Sequence, residues 1–146
     1  MDITEQNLKA DDILKQIFGY SSFRNGQEEI VKNILGGKQT LAIMPTGAGK
    51  SLCYQIPAIA SEQKTVVISP LISLIENQVA DLRENGVKVE KLHSNQSSQN
   101  RASAWNNFAN GESKILYISP ERLMTETMIN SLKQLEIGLI VVDEIH

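Results

Sequence analysis

The chain has 146 residues, 14 Lys+Arg against 17 Asp+Glu, a formal net charge of −3 and one cysteine. That length suits one domain or part of one, and the lone Cys53 excludes an internal disulfide or a Cys-x-x-Cys metal cluster. A pI near 5.4 excludes a domain that grips nucleic acid mainly by charge; any DNA or RNA contact must rest on a few local groups or on sequence outside this chain.

Residues 1–9 read as a loose lead-in, and Met1-Asp2-Ile3-Thr4-Glu5 is acidic and polar, unlike a signal peptide. No apolar stretch is long enough to span a bilayer. Asp11 and Asp12 offer a cap to a short helix, 13–18, with Ile13, Leu14, Ile17 and Phe18 on one face and Gly19 as its stop. Asn25 with Glu28 resembles a capping box. The helix it opens carries Ile30, Val31, Ile34 and Leu35 and stops at Gly36-Gly37.

Thr40-Leu41-Ala42-Ile43 reads as a buried strand, and Leu52-Cys53-Tyr54-Gln55-Ile56 as the start of a helix. Between them lies Met44-Pro45-Thr46-Gly47-Ala48-Gly49-Lys50-Ser51. Strand, glycine-rich turn, Lys-Ser and helix is the setting of a phosphate loop, although Met44 stands where the strictest pattern has glycine. Gly47 and Gly49 let the backbone curl so that N–H groups converge on a phosphate. Lys50 then reaches the β- and γ-phosphates, and the Ser51 hydroxyl is a ligand for Mg²⁺.

Beyond the loop, strands at 65–68, 87–92, 115–118 and 137–142 alternate with helices at 71–85 and 98–110 and with one or two helical turns in 120–135. Cys53 is expected as a small core residue. The pattern predicts an α/β fold with a mainly parallel sheet and helices on both faces, and the continuously apolar strands agree. Ile68-Ser69-Pro70 and Ile118-Ser119-Pro120 each end a strand and open a helix. Ser-Pro is a good helix start, and paired helix N-termini at the carboxyl edge of a sheet also suit nucleic-acid phosphates; both readings stand. His93, in the loop after the strand at 87–92, reads as a surface residue, and Trp105 with Phe108 reads as core.

The last strand, Leu139-Ile140-Val141-Val142, runs into Asp143-Glu144-Ile145-His146. Downstream of a phosphate loop, that pair of acids suits ATP hydrolysis: Asp143 for Mg²⁺ and Glu144 to orient and deprotonate the attacking water. His146 lies where nucleotide state could pass to other parts.

Four segments together resemble the RecQ family of superfamily-2 DNA helicases. They are Phe18–Gln27, Met44–Ala58, Val67–Leu74, and Tyr117–Leu123 with the terminal Asp-Glu-Ile-His. The resemblance implies a RecA-like P-loop NTPase fold truncated after the Asp-Glu-x-His strand. Residues 1–146 would form the first helicase ATP-binding domain, incomplete at its C-terminus, with 11–37 as an adenine-recognition lead-in. It implies ATP-driven 3′-to-5′ unwinding of DNA in repair and recombination, with ATP and Mg²⁺ as cofactors. Single-stranded and partly duplex DNA are the implied partners, and the implied location is cytoplasmic and nucleoid-associated, or nuclear in a eukaryote.

By position, Thr46, Gly47, Ala48, Gly49, Lys50 and Ser51 match the triphosphate residues, and Asp143 and Glu144 the metal and catalytic acids. Gln27 matches the adenine reader, whose amide offers a donor and an acceptor, with Tyr20 and Arg24 on the base faces. Ser69, Pro70, Leu71 and Ser73, with Ser119, Glu121 and Arg122, match segments on single-stranded DNA, and Ser94 and Gln96 lie in a polar loop that could assist. Asn25 stands in place of proline and Ile145 in place of alanine. A second RecA-like domain with its arginine finger, a zinc module and a winged helix are expected only after His146. Lack of the arginine costs about 10³-fold or more in hydrolysis, so the 146-residue chain is expected to be a poor ATPase. Two other classes remain open: another phosphate-loop enzyme, such as a kinase or a GTPase, and a non-catalytic nucleotide-binding module. The Asn/Thr-Lys-x-Asp motif of a GTPase is absent from the sequence.

Overall fold

The computed structural model describes residues 3–37, 39–45 and 50–144. Its elements are α1 (Ile3–Gln16), α2 (Gln27–Leu35), β1 (Thr40–Pro45), α3 (Lys50–Ala60), β2 (Lys64–Ile68) and α4 (Ile72–Glu84). They continue with β3 (Val89–Leu92), α5 (Ser98–Ala109), β4 (Ile115–Ile118), α6 (Pro120–Leu123), α7 (Glu126–Lys133) and β5 (Ile137–Glu144). All five strands are parallel, in the order β1-β5-β2-β4-β3. Parallel neighbours need long crossovers, and the helices supply them.

Alternate residues of the central strands feed two apolar layers. On β4, Ile115 and Tyr117 join Cys53, Tyr54, Ile75 and Val79 under α3 and α4. Leu116 and Ile118 join Ala104 and Phe108 under α5, with Leu123 and Met128 of α6 and α7 packed against them. A third cluster joins α1, α2 and α3 through Leu14, Val31 and Ile56. As expected, Cys53 and Phe108 are fully buried, and the Trp105 ring lies 6.0 Å from Phe108 between centroids.

Helices cover only part of the second face. Leu41 and Ile43 of β1 are 64% and 58% exposed despite their apolar character, and Ile140 on β5 is 37% exposed. This strip borders a cavity of about 510 Å³ whose walls include Leu41, Val66, Ile68, Leu123, Leu132 and Ile140.

Several local expectations are corrected. Residues 3–9 are helical rather than loose, because α1 starts at Ile3. The buried stripe of Ala10, Ile13 and Leu14 needs a turn before Asp11, so Asp11 and Asp12 lie inside the helix instead of capping it. Asn25 is not the cap of α2: Gly26 holds that position in the left-handed region, φ 84°, without a side-chain cap. The reciprocal pair falls one residue earlier. Gln27 N–H donates to the Arg24 carbonyl at 3.1 Å, and Arg24 N–H donates to Gln27 Oε1 at 2.8 Å.

Ser119 caps α6 with Pro120 in its first turn, but Ser69 does not cap α4. Ser69 N–H continues the sheet ladder to the Ile118 carbonyl at 3.1 Å, and α4 opens two residues later behind Leu71. β3 is shorter than expected because Arg83 takes the Val89 carbonyl from the side, at 2.8 Å from one guanidinium nitrogen, and Val87 N–H folds back onto Leu82. Gly86 and Gly111 close α4 and α5 at φ 83° and 87°, where a side chain would be strained.

This uneven covering predicts uneven cost. Leu116→Ala, at a site with no exposure, should lose about 2–5 kcal/mol of stability in urea unfolding. Leu41→Ala, at 64% exposure, should lose about 0.5 kcal/mol or less. Equal losses would contradict the exposed strip.

Candidate nucleotide site at the carboxyl edge of the sheet

β1 and β5 run side by side with Met44 opposite Asp143 and Pro45 opposite Glu144. The strand that enters residues 46–49 therefore ends beside the strand that carries the two acids. Thr46, Gly47, Ala48 and Gly49 lie outside the described residues, as do Ile145, His146 and the side chain of Glu144. Lys50 and Ser51 open α3, with Lys50 exposed and Ser51 half-buried.

Asp143 is 5% exposed. The Tyr54 hydroxyl approaches its Oδ2 at 3.2 Å. Tyr54 follows Ser51 by three residues, a rise of about 4.5 Å along a helix. The first turn of α3 and the end of β5 are thus neighbours. Ser51 and Asp143 offer hard oxygen donors of the kind Mg²⁺ takes, a set that fits a metal also held by phosphate oxygens.

A polar network that the sequence reading missed runs inward from this point. The Tyr54 hydroxyl lies 2.8 Å from Gln78 Oε1 on α4. Gln55 Nε2 donates to the Tyr117 hydroxyl at 2.9 Å and reaches Gln78 Oε1 at 3.4 Å. Tyr54, Gln55 and Tyr117 are buried in an otherwise apolar layer. Burial raises the Tyr54 pKa far above the ordinary phenol value, and Tyr117 and Asp143 push it further the same way, so Tyr54 is a protonated donor. Burial raises Tyr117 likewise. The available signal was polar Tyr-Gln on a helix whose other inward positions are apolar.

The remaining candidates fall into separate groups. Tyr20 and Arg24 are exposed on the loop before α2, and Gln27 is 9% exposed with Oε1 accepting from Arg24 N–H. Phe23 packs on the α1–α2–α3 cluster. Ser69 and Ser119 are buried at the ends of β2 and β4; Pro70, Leu71, Ser73 and Glu121 are exposed, and Arg122 is half-buried. Within the loop after β3, Ser94 is exposed, whereas Gln96 spends its amide on the loop itself. Gln96 Oε1 accepts from His93 N–H at 2.9 Å, and Nε2 donates to the Lys91 carbonyl at 3.0 Å.

His93 is not a surface residue: it is 1% exposed. Asn95 N–H donates to His93 Nδ1 at 3.1 Å, which leaves the proton on Nε2, 3.1 Å from Glu76 Oε1. Lys91 pairs with the other carboxylate oxygen of Glu76. These contacts tie β3 to α4. The Lys91 hydrogen bond outweighs partial burial and, helped by His93, lowers the Glu76 pKa below its ordinary 4.5.

The DEAD/DEAH box helicase family profile matches residues 24–146. The chain belongs to the DEAD/DEAH box helicase family. It is 45% identical over 148 residues to an ATP-dependent DNA helicase RecQ of Pasteurella multocida (strain Pm70), covering 100% of this chain and 23% of that protein. It is 43% identical to the ATP-dependent DNA helicase RecQ of Bacillus subtilis (strain 168), covering 94% of this chain and 24% of that protein. The chain thus spans about a quarter of the length of these curated relatives. Among solved structures, the DUF1998 helicase MrfA superposes with a TM-score of 0.66 at 20% identity, over 96% of this chain and 23% of that one. A hypothetical ATP-dependent RNA helicase from Sulfolobus tokodaii superposes at 0.63 and 14% identity, over 94% and 50%. These similarities establish the RecA-like α/β fold. Among the described residues, no helix is long and apolar enough to cross a membrane.

Because its pKa is lowered on folding, Glu76 adds stability that is present above pH 4.5 and is lost as the pH falls from there through the lower folded value. Glu76→Gln should flatten that part of the stability–pH curve while leaving the slope at neutral pH unchanged. An unaltered acid limb in denaturant titrations would contradict the Lys91–Glu76–His93 contact.

Proposed function

We propose that this chain is the ATP-binding part of a RecQ-like, ATP-dependent DNA helicase motor. The observation that carries the reading is the β1–β5 register, which sets Asp143 beside the strand that leads to the glycine-rich loop. Residues 1–146 are the N-terminal part of the first motor domain, and 11–37 its adenine-recognition lead-in.

In this reading the backbone of Thr46–Gly49 and the Lys50 ammonium bind the triphosphate, and Gln27 reads the adenine edge between Tyr20 and Arg24. Ser51 and Asp143 hold Mg²⁺, which neutralises phosphate charge when bound. Glu144 orients the attacking water and accepts its proton, and His146 passes nucleotide state onward. Ser69, Pro70, Leu71, Ser73, Ser94, Gln96, Ser119, Glu121 and Arg122 form the edge along which single-stranded DNA lies. Contacts of this kind with the DNA backbone position the strand without reading its sequence; they are few and local, as a net charge of −3 requires. Unwinding of partly duplex DNA, 3′-to-5′ movement, a role in repair and recombination and a cytoplasmic, nucleoid-associated setting belong to the complete motor. The 146-residue chain binds nucleotide and turns it over poorly.

Titration of a fluorescent ATP analogue tests this directly. Lys50→Ala, an exposed site that should leave the fold intact, is expected to abolish saturable binding. Unchanged affinity would remove Lys50 from the phosphate site.

A further inference from the structure

A second cavity, of about 340 Å³, lies between α5 and the α6–α7 segment. Arg101 and Trp105 line it from α5, Arg122 from α6 and Met128 from α7, with Leu92 at the end of β3. Leu92 ends one strand and Arg122 follows another, so the cavity lies toward the carboxyl edge of the sheet. Arg101 and Trp105 are four residues apart on α5, so one helix face carries both. No acid stands among the described lining residues. Arg101 donates one N–H to the Gln96 carbonyl. Arg122 Nε is sealed from water and has no hydrogen-bond partner among the described residues. Among those residues, no carboxylate forms an ion pair with either guanidinium. A half-buried cation left in this state is costly, and an anion bound beside it offsets the cost. Trp105 is half-buried; it packs on Phe108 and also forms part of the cavity wall. The fitting ligand is anionic where it meets the guanidinium groups and planar where it meets the indole. A nucleotide unit is both.

We propose that this cavity receives one unpaired base of a single-stranded DNA, stacked on Trp105, while an adjoining phosphate lies on Arg101 and Arg122. This rests on the reading of Ser119–Arg122 as part of the DNA edge and deepens it. Stacking tolerates any sequence, because every base has a π-face. The guanidinium pair holds the phosphate and so fixes where along the strand the base enters. Entry requires a base that is free of its stack, which a duplex does not offer without paying for extrusion. The cavity therefore selects single strands over duplex, in a chain whose net charge of −3 gives little general attraction for phosphate.

Trp105 is the single tryptophan of the chain, so its emission reports on the cavity. The test titrates the 146-residue chain with oligothymidylate, with an abasic strand of equal length, with the duplex form, and with thymidine monophosphate. Anisotropy of a dye-labelled strand measures binding, and quenching of Trp105 by the unlabelled strand measures occupancy. Oligothymidylate should quench with the same midpoint as its anisotropy curve. The abasic strand should bind without quenching and about five- to a hundredfold more weakly, the range for one stacked base. The duplex should also leave the emission unchanged. Ala102→Leu, at an exposed position of the cavity wall, fills the space; it should abolish quenching and bring oligothymidylate to the abasic affinity. Equal quenching by the abasic strand, or quenching that survives Ala102→Leu, overturns the proposal. If that variant does not fold, the comparison of wild-type binding to the two strands decides alone. Quenching by the monophosphate but not by the strand assigns the cavity to a free nucleotide and overturns the DNA assignment. Strand binding without quenching overturns this inference and leaves the DNA edge standing, whereas no saturable binding of any strand removes the DNA edge and this inference with it.

Discussion

Parallel pairing of β1 with β5, from Thr40 opposite Leu139 to Pro45 opposite Glu144, is the constraint on which the candidate site depends. A parallel neighbour keeps both strand ends on one side of the sheet. The chain leaving β1 and the carboxylate ending β5 therefore emerge together. An antiparallel pair would send them to opposite sides, and a register slip of one residue would turn Asp143 from one face to the other. The pairing is supported by Ala42, Leu139 and Val141, which join the layer beneath α3 and α4. Chemistry at the edge is thus tied to packing in the interior.

The same layer carries the polar network. Burying Tyr54, Gln55 and Tyr117 among Cys53, Ile75 and Val79 is costly unless each polar atom has a partner. The partners are one another, Gln78 and Asp143. Such an arrangement discriminates sharply between well-placed and displaced helices, because a small movement of α3 or α4 leaves a buried group unmatched. On the far side of α4, Glu76 meets Lys91 and His93, so that helix is clamped to β3 as well. α4 is consequently joined both to the strand before α5 and to the acid at the end of β5.

Much of this was legible in residue patterns. Apolar runs at 40–43, 65–68, 115–118 and 137–142 marked four strands; at 65–68 and 115–118 burial on both faces removes the alternation seen in half-exposed sheets. Gly86 and Gly111 marked helix ends through their left-handed φ. The phosphate-loop spacing and the terminal acids marked the edge where ligands gather. Side-chain partnership was not legible. Ser69 and Ser119 share the same Ile-Ser-Pro context, yet only Ser119 caps a helix, since the ladder bond from Ser69 to Ile118 delays α4. His93 looked like a loop residue, and only the fold of α4 over β3 supplies the Glu76 that makes its burial tolerable. Leu41 and Ile43 looked like core, but their exposure depends on which helices reach the outer strand, which local pattern does not encode.

The first turn of α3, which carries Ser51, and the end of β5 must share a metal. A crystal structure with Mg²⁺ and a non-hydrolysable ATP analogue measures this directly. The predicted result is Mg²⁺ at about 2.0–2.1 Å from Ser51 Oγ, with the Asp143 carboxylate bound to it directly or through one water. A triphosphate bound elsewhere, or a metal with neither residue within one water of it, would contradict the account.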